Sequence, residues 1–214
     1  MNWPKCYINT NVVDANLARM VNKCAILGIE LRPHVKTIHD PFLSSILREH
    51  GINKIMVSNI RMLDQFFESG WTDICLALPC PIWSIPTLQT YLDRGLRLTL
   101  YIDHMDQLRA LDACSHPVQL CIDIDTGQQR TGVHWKHEEE IMGLIRHIQA
   151  SQHEFCGLTT HFGQLYHLQK KADIIHEAGA LMMKVLQLKE QLNISAMEIP
   201  WNPPLPLAPL HDMI

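Results

Sequence analysis

No run of apolar residues in this chain comes near the roughly 20 that a membrane span needs. The longest, Ile74 to Pro79, gives way within a few residues to Pro81 and Pro86. Basic residues are also few. Lys and Arg number 18 against 22 Asp and Glu, a net charge of −4 with no basic stripe, so nucleic acid is not an expected partner. The nucleotide-binding glycine patterns, Gly-x-Gly-x-x-Gly and the P-loop, are both missing, and nothing points to a dinucleotide or NTP site. Nor is there a Cys-x-x-Cys pair. The seven cysteines (Cys6, Cys24, Cys75, Cys80, Cys114, Cys121, Cys156) are odd in number and scattered, the usage of reduced thiols in a cytoplasmic protein. Met1 to Thr10 carries one lysine and a proline but no apolar stretch of the kind a secretory leader has. The expectation is a soluble cytoplasmic protein with no membrane partner.

What is present is an ordinary globular composition, 214 residues with 47% apolar and 19% charged, long enough to bury a sizeable core. Short strand-like runs alternate with helical stretches, which argues for βα units around a parallel sheet. Strands are expected at Glu30 to Val35, Lys54 to Val57, Asp73 to Leu78, Leu96 to Ile102, Val118 to Asp123, Phe155 to Thr160 and Ala196 to Ile199. A leading segment, Cys6 to Ile8, is too short to place. Helical spacing runs from Asp14 to Leu27, stopping at Gly28. Further helices are expected near Pro41 to His50, Met62 to Ser69, Ile85 to Arg94, Met105 to Cys114, His137 to Ser151 and Gln169 to Leu192. Asp40 and Pro41 form an N-cap and first-turn pair. The fold class is therefore α/β, and with no nucleotide motif a TIM-type (β/α) barrel short of a strand is favoured over an open doubly wound sheet.

In a parallel barrel the chemistry sits where strands end and loops begin. Strand alternation in Leu31-Arg32-Pro33-His34-Val35-Lys36-Thr37 puts Arg32, His34 and Lys36 on one face, with Pro33 and Val35 on the other. Sending such groups into a barrel is costly unless they are used or paired. In Cys121-Ile122-Asp123-Ile124-Asp125-Thr126-Gly127, Asp123 and Asp125 share a face. The glycines of Gly127-Gln128-Gln129-Arg130-Thr131-Gly132 bracket Arg130 in a tight loop that a small ligand could approach. A solvated turn with an Asp-Arg pair explains that segment equally well. Gly157 to His167 again places polar groups and glycine just past a strand.

Leu31 to Thr37 resembles the R-P-H-x-K-T signature of fold-type III pyridoxal-phosphate enzymes, in the D-threonine aldolase and D-serine dehydratase branch related to the alanine racemase N-terminal barrel. Asp125 to Val133 resembles the D-x-G-x-x-R-T-G-V element of that branch, and Lys54 to Ser58, Gly70 to Ile74 and Gly157 to Tyr166 follow in the expected order. The resemblance spans roughly Cys6 to Ile199. It implies a pyridoxal 5'-phosphate cofactor, a small D-amino acid substrate, and Lys36 as the catalytic residue forming a Schiff base. Lys36, Arg130, His34, His161 and Tyr166 make up the implied cofactor-binding set. Arg130 would reach the cofactor ring, His161 and Tyr166 would line the substrate side, and His34 would stand behind the lysine. Burial beside Arg32 and His34 is expected to favour the neutral amine that attack on a carbonyl requires.

The tail departs from the resemblance. Residues 1–199 read as the barrel and residues 200–214 as a divergent proline-rich end, Pro200-Trp201-Asn202-Pro203-Pro204-Leu205-Pro206-Leu207-Ala208-Pro209. Prolines lack the N–H groups of a phosphate cup. The pattern is that of a C-terminally truncated member, without the last strand or the C-terminal β domain that carries the divalent metal of the lyase branch. His211 and Asp212 lack a third ligand, so no metal site is expected. The leading function is a pyridoxal-phosphate-dependent lyase, an aldolase or dehydratase. Alternatives are an amino-acid racemase of the same fold and a non-catalytic or cofactor-binding remnant. A metal-dependent hydrolase using His34 and His161 around Lys36 lacks an early H-x-H pair. An open barrel edge would need covering by the tail or another chain, which leaves a homodimer open as a partner state.

Overall fold

The computed structural model describes residues 7–37 and 39–194. Helix α1 (Thr10–Ile26) starts earlier than Asp14, because Asn9 caps it by accepting from the Asn11 and Val12 amides, and it ends on Gly28 at φ 64°. Helix α2 (Pro41–Glu49) begins on the expected pair, with Asp40 Oδ1 accepting from the Phe42 amide at 2.7 Å. Then follow β1 (Ile55–Val57), α3 (Ile60–Glu68), β2 (Asp73–Pro79), α4 (Ile85–Leu92), β3 (Arg97–Ile102), α5 (Met105–Leu111) and β4 (Gln119–Asp125). The described chain closes with β5 (Val133–His134), α6 (Glu138–Ala150), β6 (Glu154–Thr160) and α7 (Lys171–Gln191).

All strand pairs are parallel. The order is β1-β2-β3-β4, β6 pairs β4 as well, and β5 joins only the last two residues of β4. The expected strand at Glu30 to Val35 is corrected to a single parallel bridge, His34 to Met56, with the Met56 N–H donating to Pro33 O at 2.8 Å. Pro33 has no N–H for a ladder, and the chain coils into a 3-10 turn at Val35–Thr37. The result is a (β/α) arc, a TIM-type barrel that is incomplete among the described residues. The expected strand at Ala196 to Ile199, the tail 200–214 and its phosphate-cup question, the pair His211 and Asp212, and Cys6 lie outside the described residues.

Alternation along the strands separates two environments. Ile74, Leu76, Leu98, Leu100, Leu120, Ile122 and Leu158 belong to the large core under the helices, all at most 2% exposed. Their neighbours on the concave side, Met56, Cys75, Tyr101 and Cys121, form a smaller cluster of their own. Near the start of the strands a polar belt crosses the arc. Asp73 takes Arg32 at 2.7 Å and Arg97 at 3.7 Å, Arg97 and Thr99 donate to Gln119, and Gln119 donates to Glu154 at 2.9 Å. These bonds satisfy Thr99 and Gln119, polar side chains that burial would otherwise penalise. No helix among the described residues is long and apolar enough to cross a membrane.

Candidate active site

The C-terminal ends of the strands surround a cavity of about 360 Å³, the size of a small-ligand site. His34 and Lys36 reach it from the bridge and turn, Ser58 from the end of β1, Tyr101 from β3, Asp123 from β4, and Thr159, Thr160 and His161 from the end of β6. Leu17 and Met20 of α1 add an apolar wall. Arg130 comes from the loop between β4 and β5.

The turn that carries Lys36 is anchored by Val35, which is fully buried in the main core. Lys36 itself is exposed, a correction to the expectation that burial surrounds its amine. With the strand curled away after His34, the side chain stands at the mouth of the cavity. Pro33 also lines the cavity instead of facing away. Arg32, on the same wall, is paired with Asp73 rather than left for a ligand. The His34 ring accepts the Lys36 amide at Nδ1 (3.2 Å) and meets Ser58 Oγ at Nε2 (3.2 Å).

The Arg130 loop is pinned at several points. Asp125 Oδ1 accepts the Gly127 and Gln129 amides at 2.8 and 3.0 Å, and Asp103 Oδ2 accepts the Gly132 amide at 3.2 Å. Lys184 Nζ, on α7, donates to Thr126 O at 3.0 Å. Gly132 has φ +98°, and a Cβ there would lie 2.8 Å from Asp125 N and 2.9 Å from Ile124 C. Only glycine fits that approach.

Electrostatics follow from this packing. Burial, then the charge of Lys36, lowers the His34 imidazole to about 4. Burial, then Arg130 and Lys36, lowers His161 to about 4 as well, so both rings are neutral at pH 7. Burial pushes the Asp123 carboxyl up to about 6. Thr131 and Arg130 pull it down, while Asp103 and Asp125 push it further up. Burial also holds the Tyr101 hydroxyl well above its ordinary value.

Of the sequence-predicted set, Lys36, His34, Arg130 and His161 share the cavity wall, and Tyr166 does not. Tyr166 is exposed on the 3-10 segment Gly163–His167, its ring centroid 6.0 Å from that of His161. The sequence reading did not single out Ser58, Tyr101 or Asp103. Tyr101 was within reach, since it alternates with Leu100 and Ile102 on a recognised strand. Among the described residues no group of three or more His, Cys, Asp or Glu is placed to hold a metal ion.

Residues 8–200 match the alanine racemase N-terminal domain. The chain is 28% identical over 172 residues to D-threo-3-hydroxyaspartate dehydratase of Delftia sp. (strain HT23), covering 78% of this chain and 45% of that protein. It is 27% identical over 191 residues to D-serine dehydratase of Dictyostelium discoideum, covering 81% of this chain and 48% of that one. The solved structure of D-threo-3-hydroxyaspartate dehydratase from Delftia sp. HT23 superposes with a TM-score of 0.78 at 27% identity, over 90% of this chain and 52% of that chain. The chain thus spans about half the length of the curated relatives it matches. A match over nearly the whole chain, joined to the parallel barrel arc, means that this protein belongs to the alanine racemase N-terminal domain family.

Proposed function

We propose that this chain supplies the lysine-bearing barrel of a pyridoxal-phosphate-dependent lyase that removes water from a β-hydroxy D-amino acid. The observation that carries the reading is Lys36 at the mouth of a cavity shared with Arg130 and His161, in a chain whose named curated relatives are both dehydratases. The donor set fits an anionic aromatic aldehyde: a reachable amine, a permanent guanidinium cation and two neutral imidazoles around about 360 Å³. When bound, pyridoxal phosphate supplies the electron sink for charge that develops at Cα.

The chain's own residues take the remaining tasks. Lys36 Nζ is the amine that would hold the cofactor and the acceptor for the Cα proton. Arg130, on its pinned loop at the cavity wall, would donate to the cofactor ring. Asp123, ionised at pH 7 beside it, balances that cation. His161 presents a neutral ring on the substrate side, and the proton that Lys36 would take from Cα is the one that would leave with the hydroxyl as water. Leu17 and Met20 shield one side of the cavity from water. Tyr166 belongs to this reading only through its packing on His161.

The test is direct. Protein incubated with pyridoxal phosphate and reduced with borohydride should carry the cofactor mass on the peptide containing Lys36, and Lys36→Ala should abolish it. Loaded protein should then convert D-serine or D-threo-3-hydroxyaspartate to a keto acid and ammonia. Glycine with an aldehyde from D-threonine would replace water loss by aldol cleavage, and the mirror amino acid would make it a racemase. An adduct without turnover would leave a cofactor-binding barrel. No adduct at saturating cofactor overturns the proposal.

A further inference from the structure

The His34 ring meets the Lys36 amide, the Ser58 hydroxyl and the Met56 backbone, and the amide fixes its protons. A backbone N–H can only donate, so the Lys36 amide at 3.2 Å requires a lone pair on His34 Nδ1. The single proton of the neutral imidazole therefore resides on Nε2, where Ser58 Oγ lies at 3.2 Å as its acceptor. The main chain on both sides is fixed as well, since Pro33 O receives the Met56 amide at 2.8 Å and His34 bridges Met56. The ring spans from the last residue of the barrel edge to the first turn beyond it, and the residue it grips there is the lysine.

We infer that His34 is a positioning residue for Lys36: through Nδ1 it holds the lysine backbone within the Val35–Thr37 turn, while Nε2–H donates to the Ser58 hydroxyl, which accepts what the amide leaves it. Both ring nitrogens are committed, so His34 has none left to act as a base toward a ligand. Its importance to the cavity is through the placement of Lys36. The inference rests on the proposed role of Lys36 only for its functional consequence, since the clamp itself is a property of the folded chain.

Two substitutions separate the two ends of the ring. In His34→Asn the side-chain carbonyl can take the place of Nδ1 and accept the amide two residues on, as in an Asx turn. His34→Gln places its amide where Nε2 was, so it reaches Ser58 and leaves the Lys36 amide without an acceptor. Long-range proton–nitrogen NMR on histidine-labelled protein at pH 7 should show His34 as the tautomer protonated on Nε2. Exchange of the Lys36 amide should rise about two- to tenfold in His34→Gln, the range set by one net hydrogen bond, and return toward the wild-type rate in His34→Asn. The yield of borohydride-trapped cofactor on Lys36 should follow the same order. A proton on Nδ1, or equal Lys36 exchange in the Asn and Gln variants, overturns the inference. If wild-type protein traps no cofactor, the cofactor reading fails, and the clamp is decided by the tautomer and the amide exchange alone.

Discussion

Replacing Asp123 with Asn should stabilise the protein at neutral pH and do so far less in acid. The carboxyl is buried in the cavity wall, 5% exposed, and held at about 6 against an ordinary 3.8. Between those values the folded state binds the proton and the unfolded chain does not, so stability falls as pH rises through this window and stays reduced above it. At pH 7.5 the accumulated penalty is about 3 kcal/mol, and at pH 4.5 about 1 kcal/mol. The attraction of Arg130 is already contained in that figure, because it is among the influences that set the value of 6. Asn is neutral at both pH values and its carbonyl can still accept from Thr131. Urea unfolding of both proteins at the two pH values is the assay. The variant should gain up to about 3 kcal/mol at pH 7.5 and about 1 kcal/mol at pH 4.5. A variant less stable than wild type at pH 7.5, or a difference that does not change with pH, would refute the reasoning that a strained carboxylate sits in this wall.

Gly132→Ala would force a Cβ into backbone at a φ of +98°. It should cost about 3 kcal/mol in urea unfolding and lower the yield of cofactor trapped on Lys36, since the same loop carries Arg130; an unchanged midpoint and yield would show that the loop gives way freely. His161→Gln removes a base held at about 4. The unfolded chain takes up that proton at a higher pH than the fold does, so wild-type stability is lost as pH falls from 6.5 toward 4. Discounted for the ring's partial exposure, the variant should be about 1–2 kcal/mol more stable than wild type at pH 4.5, relative to their difference at pH 7.5. Chemical denaturation at the two pH values reads this, and no relative gain in acid would show that the ring is solvated.

Helix ends were legible at Asp40, whose carboxylate caps the turn begun by Pro41, and at Gly28, whose positive φ ends α1. The start of α1 was not: Val13 carries the stripe of Leu17, Met20 and Val21 back one turn, and the Asn9 cap lies a further turn ahead, beyond any apolar residue of that face. Arg32, His34 and Lys36 alternate as strand residues would, yet Pro33 between them has no N–H to donate to a ladder and the turn at Val35 ends the alternation. That turn also explains why Lys36 is exposed, which no pattern of residue types announced. Strand β5 has 2 residues, too short to produce any periodicity. In the site, Lys36, Arg130 and His161 were visible because each lies in a motif. Ser58 and Asp103 were not, because single polar residues after separate strands acquire meaning only when the sheet brings their ends together.

The alternation of Asp123 in the cavity wall with Ile122 and Ile124 in the core limits how β4 can be edited. Removing one residue within it would turn two isoleucines into the cavity and press a carboxyl and a thiol against the helices. Length changes are therefore tolerable only outside the strands. A library that seeks new ligands should hold β4 to its present length and vary side chains at 121 and 123, every second position, while reserving insertions for the connections on the far side of the barrel.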